Sequence, residues 1–376
     1  MSELLNLLKL QLPMMTDLLT EIVSIESQTH EKPGVDAVGR VIHRELADLG
    51  AEIITHTQEI TGNHIVGTWN KGVGTPIALF MHMDTVHPAG TLTQRPIRIE
   101  GGRFYGPGSY YMKASLVIAL FAIRALRELT LFPKREIRLV FTSDEETGSD
   151  TSRALIEDLA RNAALALVME PALADGRLKS ARKGTGTYKI IARGKAAHAG
   201  GNHAEGINAI QELAQQVIKI QALTDYPRGV TFSVGAIKGG GVTNVVPDYA
   251  ELFVDTRVIS REDAQWVMNT LRSLQPALKG ATLEVQGEPD RPPMPCDAGR
   301  LQTFASIQQI AQSIGLDIQH GPSGGGSDAS FTADIGTPTM DGLGAVGDGA
   351  HAVHENVVLS SLPERAALSA AILKDW

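Results

Sequence analysis

Histidine and carboxylate side chains occur directly after three short apolar stretches of this sequence. They are His82, Asp84, Glu145, Glu146 and Glu170. Imidazole and carboxylate ligands suit zinc, and also manganese or cobalt. A cation held by such groups can lower the pKa of a water molecule and polarise a carbonyl. The residue types therefore indicate metal-assisted hydrolysis.

The spacing within each group indicates different roles for its members. In the segment His82-Met83-Asp84, the aspartate can bond the ring nitrogen that does not bind metal, which fixes the tautomer and raises the basicity of the ligand. In the pair Glu145-Glu146, one carboxylate can bind metal while its neighbour faces the other way as a general base. Each group alone also fits a turn, a core histidine or a solvated loop, and only their conjunction indicates a site.

A further histidine ligand is expected in the glycine-rich segment GDGAHAVHENV (347–357). His351 and His354 are alternative candidates, and a solvated loop is the competing interpretation for either. The single cysteine, Cys296, excludes an internal disulfide and a cysteine-rich zinc cluster.

Alternating elements must bring these groups together. Strand patterns at 77–81, 137–142 and 164–170 are separated by helical patterns at 112–129 and 152–162. Such alternation predicts a mainly parallel sheet covered by helices on both faces. Ligands of open α/β sheets bind outside the carboxyl ends of the strands. The three strand ends should therefore direct their imidazole and carboxylates at one region.

From about residue 184 the pattern changes to strand, helix, strand, strand, helix, strand, which is the ferredoxin-like order. The proline-rich segment 287–297 is expected to close this unit as a linker. We predict an α/β fold with a mainly parallel, helix-flanked sheet and an inserted ferredoxin-like α+β domain. Its first segment is 1–183, the insert is 184–292, and the second segment is 293–376.

The composition bounds the class of protein. The 376 residues carry a net charge of -8, which argues against a nucleic-acid or anionic-membrane surface. No apolar run is expected to approach the roughly 18 residues that span a bilayer. The N-terminal segment 1–27 has helical periodicity and is interpreted as an amphipathic helix rather than a signal peptide. A cytoplasmic location is expected.

The sequence resembles the co-catalytic zinc peptidases, a family that includes glutamate carboxypeptidases, aminoacylases and acetylornithine and succinyl-diaminopimelate deacylases. The resemblance covers nearly the whole chain and is greatest to the glutamate carboxypeptidase branch. The motifs that carry it, in order, are MHMDTVHPAG, FYGPGSYYMKAS, TSDEETGS, VMEP, GKAAHAGGNHAEGINA, GGGVTNVVPDYAELFVDTR and GGGSDAS.

The resemblance implies a role for each matching residue of the metal centre. His82 and Glu170 would bind one zinc ion, and Asp84 would orient His82. Glu145 would be the general base. The resemblance also implies a second ion, bound by Glu146 and His351.

It further implies a small-molecule substrate, either an N-acyl amino acid or a dipeptide-like compound with a free carboxylate. His198 would reach the active site of a partner in a homodimer formed by the inserted domain. Asn244 and Arg257 would grip the substrate carboxylate, for which a guanidinium fork is suited. The backbone of a glycine loop would approach the substrate; its residues are Gly324, Gly325, Gly326 and Ser327.

The sequence departs from the family at the position of the aspartate that bridges the two metals, which is Tyr111 here. No Asp or Glu lies between Glu100 and Glu128, so a register slip cannot restore the carboxylate. A neutral phenol is a poor bridge between two cations. Three interpretations follow: a working hydrolase with one metal or a water-bridged pair, a relative with weak or changed chemistry, or a protein without catalysis, which is either a binding protein or a variant in which the aspartate was replaced. Hydrolysis of a non-peptide C–N bond is a further alternative.

Overall fold

The computed structural model describes residues 3–376 of the chain. Its α-helices, in chain order, are α1 (Glu3–Leu10), α2 (Leu12–Val23), α3 (Lys32–Asp48), α4 (Thr91–Gln94), α5 (Ala114–Glu128), α6 (Arg153–Arg161), α7 (Ala209–Gln221), α8 (Arg261–Arg272), α9 (Ala298–Ser313), α10 (Ala329–Asp334) and α11 (Ser361–Asp375). Its strands are β1 (Glu52–His56), β2 (His64–Trp69), β3 (Ile77–His82), β4 (Arg98–Glu100), β5 (Arg103–Tyr105), β6 (Ile137–Thr142), β7 (Leu165–Val168), β8 (Leu178–Arg182), β9 (Gly184–Arg193), β10 (Ala197–His198), β11 (Thr231–Gly239), β12 (Val245–Val246), β13 (Tyr249–Val258), β14 (Thr282–Arg291), β15 (His320–Ser323), β16 (Thr339–Asp341), β17 (Gly347–Asp348) and β18 (Asn356–Val358).

The chain divides into two compact units. Unit 1 comprises Met1–Ala181, Cys296–Ser323 and Ser327–Trp376, and unit 2 comprises Arg182–Pro295 and Gly324–Gly326. In this division the main piece of unit 2 begins at Arg182 and ends at Pro295. The short segment Gly324–Gly326 is a second piece of unit 2 that the sequence did not indicate.

Unit 1 is built on an eight-stranded sheet in the order β1-β2-β6-β3-β7-β16-β8-β15. The four central strands β6, β3, β7 and β16 run parallel. Strand β3 is buried along its whole length, which explains its unbroken apolar sequence. Helix α5 is buried on nearly every side and belongs to the same apolar core. The predicted mainly parallel, helix-flanked sheet is confirmed.

Unit 2 has its own apolar core and a four-stranded antiparallel sheet in the order β11-β13-β9-β14. Helix α7 follows β9 and helix α8 follows β13, so the chain order is β-α-β-β-α-β with small additions. Strands β9 and β13 are central, whereas β11 and β14 form the edges. Along β13, buried and partly exposed residues alternate, as expected for a sheet covered on one face.

Several local predictions were wrong. The segment 287–297 is not wholly a linker, because β14 continues through it to Arg291. The predicted N-terminal helix breaks at Gln11 into α1 and α2, and Met1 and Ser2 lie outside the described residues. Contrary to the expectation about apolar runs, Ser109–Glu128 is long and apolar enough to cross a membrane by length and composition. However, 89% of its most apolar window is buried in the protein, as in a core helix.

Candidate metal centre

Three neighbouring parallel strands carry the central residues of the site. His82 is the last residue of β3, Glu145 begins a short 3₁₀ turn after β6, and Glu170 lies two residues beyond β7. Because β6, β3 and β7 are adjacent and parallel, their carboxyl ends meet at one edge of the sheet. The predicted convergence at this edge is found in the structure.

Donor atoms of His82, Glu145 and Glu170 all lie within 4.8 Å of one another, and the three residues are buried. The Nε2 atom of His82 is 3.6 Å from Oε1 of Glu170 and 3.9 Å from Oε2 of Glu145. Within residues 3–376, this buried Nε2 has no hydrogen-bond partner. An unpartnered buried nitrogen facing two carboxylates fits a divalent cation, which would satisfy all three groups.

Asp84 holds the metal-site residues in place. Its Oδ1 lies 3.2 Å from Nδ1 of His82, and its Oδ2 accepts the Thr29 hydroxyl at 2.7 Å. The backbone N–H groups of Glu145 and Glu146 also donate to this carboxylate, at 3.3 and 3.2 Å. Burial raises the pKa of Asp84, but the bonds from His82, Thr29 and Glu146 outweigh it and lower the pKa overall. One ionised carboxylate therefore positions both strand ends.

The same bonds act on the imidazole of His82. Burial lowers the pKa of His82, yet its contact with Asp84 and the nearby carboxylates of Glu170 and Glu145 raise the pKa well above its ordinary value. Binding of a metal would displace this proton.

A second group comprises Glu146, Tyr111 and His351. Oε1 of Glu146 lies 3.3 Å from Nε2 of His351, so the loop histidine that the structure brings to the site is His351. His354 is exposed. The ring centroid of Tyr111 lies 4.1 Å from that of His351 and 5.7 Å from that of His82. An aromatic ring thus contacts both imidazoles.

Glu355 is a site residue that sequence reasoning missed. Its buried carboxylate accepts the N–H groups of Gly108, Tyr110 and Tyr111 at 2.8–3.0 Å, and Nε2 of His87 lies 2.9 Å away. These N–H groups belong to the π-helical turn that leads into α5, where the helix dipole favours an anion. The only available signal was its position four residues after His351.

Asp144 stabilises the segment that carries the glutamate pair. Its carboxylate accepts the N–H and hydroxyl groups of both Thr151 and Ser152 at 2.6–3.3 Å. These bonds tie the 3₁₀ turn Glu145–Thr147 to the start of α6. The turn therefore has little freedom to reorient its glutamates.

Unit 2 contains the other residues expected to contact substrate, except Ser327. His198 is exposed on β10, and its Nδ1 accepts the N–H groups of Gly200 and Gly201 at 3.0 and 2.9 Å. These bonds leave the proton on Nε2, which can donate it. Asn244 is a neighbour, because its carbonyl accepts the N–H of Ala199 at 2.9 Å.

Arg257 lies on β13, where its Nε and Nη2 both contact the carboxylate of Asp255 at 2.8 Å. In the glycine loop, the carbonyls of Gly325 and Gly326 accept bonds from the guanidinium of Arg182. Gly324 is exposed, and a Cβ atom added at this residue would meet no atom within 4 Å. Ser327 is buried in unit 1 and donates its hydroxyl to Asp341 at 2.7 Å.

Comparison with known proteins agrees with the fold. A sequence profile described as Peptidase family M20/M25/M40 matches residues 78–375, and the chain belongs to that family. The chain is similar to carboxypeptidase G2 of Pseudomonas sp. (strain RS-16), with 31% identity over 373 residues that cover 96% of this chain and 89% of the relative. It is also similar to the succinyl-diaminopimelate desuccinylase of Dechloromonas aromatica (strain RCB), at 26% identity over 95% of this chain and 97% of the relative.

Among solved structures, aminopeptidase PepT from Bacillus cereus ATCC 10987 has the same fold, with a TM-score of 0.77 and 24% identity. The match covers 96% of this chain and 97% of that chain. Family membership identifies the protein as a metallopeptidase or amidohydrolase that acts on amide bonds.

Proposed function

We propose that the protein cleaves an amide bond to an amino acid that carries a free carboxylate, as a glutamate carboxypeptidase or an N-acyl-amino-acid amidohydrolase. The observation that carries the proposal is the convergence of His82, Glu145 and Glu170 on one buried point. The relatives named as a carboxypeptidase and a desuccinylase both remove a group held by an amide bond. Zinc is the expected cation, and the donors also suit manganese or cobalt.

In the proposed mechanism the cation would be held by His82 and Glu170, with Glu145 beside them. It would supply Lewis acidity to the scissile carbonyl and to the attacking water. Glu145 takes the proton of that water and passes it to the leaving amine. Asp84 keeps His82 in the tautomer whose Nε2 faces the carboxylates.

Unit 2 would supply substrate recognition. The Nε2–H of His198, offered by a partner subunit, would donate to the developing oxyanion. Arg257 and Asn244 would bind the substrate carboxylate, which would compete with Asp255 for the guanidinium. The glycine loop 324–327 would let backbone groups approach the substrate. A cytoplasmic location is also proposed, and the exposed free Cys296 agrees with a reducing compartment.

The proposal is tested by Glu145→Gln in the metal-loaded, full-length protein. Because the amide cannot accept the proton, we expect kcat for N-acyl amino acids and dipeptides to fall by roughly 10²–10⁴-fold. Glu59→Gln, at an exposed site, is the matched control. Unchanged turnover in Glu145→Gln would overturn the mechanism. If the wild type binds these compounds without cleaving them, the binding-protein alternative is correct.

A further inference from the structure

The carboxylates of the glutamate pair stand in different surroundings, and this difference bears on how many cations the centre holds. Glu145 is grouped with His82 and Glu170, whereas Glu146 contacts His351. Among residues 3–376, His82, Glu145 and Glu170 form the cluster of at least three histidine, cysteine or acidic donors that can hold an ion. Glu146 and His351 form a pair.

The first group has the spacing of ligands on a common ion. Zinc binds nitrogen and oxygen donors at about 2.0–2.2 Å, so two donors on one ion lie roughly 3–4 Å apart. Oε1 of Glu170 and Oε2 of Glu145 lie 3.6 and 3.9 Å from Nε2 of His82. Glu145 thus lies within ligand distance, although the family resemblance gives it only the role of base.

Tyr111 changes the surroundings of the second group. Its ring packs against that of His351 at 4.1 Å, while His351 has a left-handed backbone conformation with φ of 63°. The carboxylate of Glu355 fixes the backbone of Tyr111 by accepting its N–H at 3.0 Å. The ring therefore lies against the imidazole that a second cation would need, and the tyrosine supplies no bridging carboxylate.

We propose that this centre binds one divalent cation, with Glu145 as its third protein ligand beside His82 and Glu170, and that the ring of Tyr111 closes the second metal position. The inference rests on the metal dependence in the proposed function. Glu145 has two carboxylate oxygens, so one can bind the ion while the other accepts the proton of water. Glu146 and His351 remain a hydrogen-bonded pair that borders the site.

The test is metal binding itself. The full-length protein is stripped with a chelator and titrated with Zn²⁺ or Co²⁺ by calorimetry, and the bound metal is counted by native mass spectrometry. We expect one equivalent in the wild type. Glu145→Gln should weaken binding at least tenfold, whereas Glu146→Gln should change the affinity less than threefold. Glu59→Gln is the control for loss of a carboxylate. Two tight equivalents in the wild type, or an equal loss in both glutamine variants, would overturn the inference.

Substitutions of the tyrosine test the closure of the second position. Tyr111→Asp should admit a second equivalent, while Tyr111→Phe should stay at one, because the ring and not the hydroxyl closes the position. One equivalent in a folded Tyr111→Asp protein, or two in Tyr111→Phe, would contradict the inference. Circular dichroism establishes folding, and the glutamine variants still decide the outcome if Tyr111→Asp does not fold.

These measurements do not depend on turnover. One bound ion in a protein that cleaves none of the substrates would refute the proposed function and leave the metal stoichiometry standing. Hydrolysis of these substrates by a protein that binds two ions would support the proposed function and refute the one-ion inference.

Discussion

At the scale of single residues, Asp84 links the parts of the metal centre. Its two oxygens contact the ring of His82, the hydroxyl of Thr29 and the backbone N–H groups that precede both glutamate side chains. Those partners come from three separate parts of the chain. A buried carboxylate with all of its bonds made is costly to alter, because each donor would lose its acceptor.

We expect Asp84→Asn to weaken metal binding about 10–100-fold, since the amide cannot serve both His82 and the backbone donors. The free energy of unfolding should fall by about 1–3 kcal/mol, because the new NH₂ group faces other donors. Metal titration and thermal denaturation measure the two effects. Asp158→Asn is the control, since Asp158 is exposed on α6. A variant that binds metal like the wild type would show that His82 is oriented by other contacts.

At this scale, the sequence could indicate residues whose side chains commonly bind metal and that lie at the end of a predicted strand. His82, Glu145 and Glu170 met that condition because strand period and residue type are local properties. The contact of Tyr111 with His351 was not predictable from spacing, because 240 residues separate the two rings. Glu355 was missed because an acidic residue in a loop is ordinarily solvated.

At the scale of elements, the turn before α5 contains a buried lysine that the mechanism does not use. Nζ of Lys113 donates to the carbonyl of Ile25 at 2.6 Å. Burial lowers the pKa of Lys113 to about 7, against the opposing charges of Glu355 and Glu26. This lysine therefore couples the stability of the turn to pH.

The sign of that coupling follows from the lowered pKa. Between about pH 7 and the reference pKa near 10.4, the unfolded chain holds a proton that the folded protein has lost. The unfolding free energy of the wild type should therefore rise with pH, relative to Lys113→Met, by at most about 1.4 kcal/mol per pH unit across this window. Denaturant titrations at pH 7.5, 8.5 and 9.5 measure the difference. Lys134→Met, at an exposed lysine, controls for loss of a charge. Parallel pH profiles for the wild type and Lys113→Met would refute the prediction.

Element boundaries show where local patterns stop being informative. Strand β6 was predicted to the residue, because its apolar run is bounded on both sides by polar segments. The residues 261–278 have a helical pattern, but α8 ends at Arg272. The proline-rich segment 287–297 predicts a linker, yet Pro289 lies in β14. Because β14 is an edge strand, the missing N–H of a proline is tolerated there.

At the scale of the whole molecule, a change of pattern near residue 184 was visible in the sequence. The return of Gly324–Gly326 to unit 2 was not, because it depends on long-range bonds from Arg182 to the glycine carbonyls. The position of β16 between β7 and β8 was also not predictable, because three residues are too few to show a strand periodicity.

We propose that the homodimer forms along strand β11, which is an edge strand of the four-stranded sheet in unit 2. It pairs on one side with β13, and from Ser233 to Gly239 all of its residues except Val234 are exposed. Ile237 on this strand is 49% exposed, and Ile218 on helix α7 is 67% exposed. An open edge with apolar side chains is a template for pairing with another chain, and a two-fold axis would place the same strand on both sides.

If two copies join along this edge, the protein should sediment at twice its mass of 40.2 kDa. Ile237→Lys places a charge in the predicted interface and should shift the equilibrium toward monomer by at least tenfold in dissociation constant. Ile54→Lys is the matched control. Ile54 is 43% exposed and lies on β1, an edge strand of the eight-stranded sheet in unit 1. Turnover should fall with the dimer fraction, since His198 would then lack a neighbouring active site. A monomer with full activity would refute the proposed role of His198 in the active site of a partner.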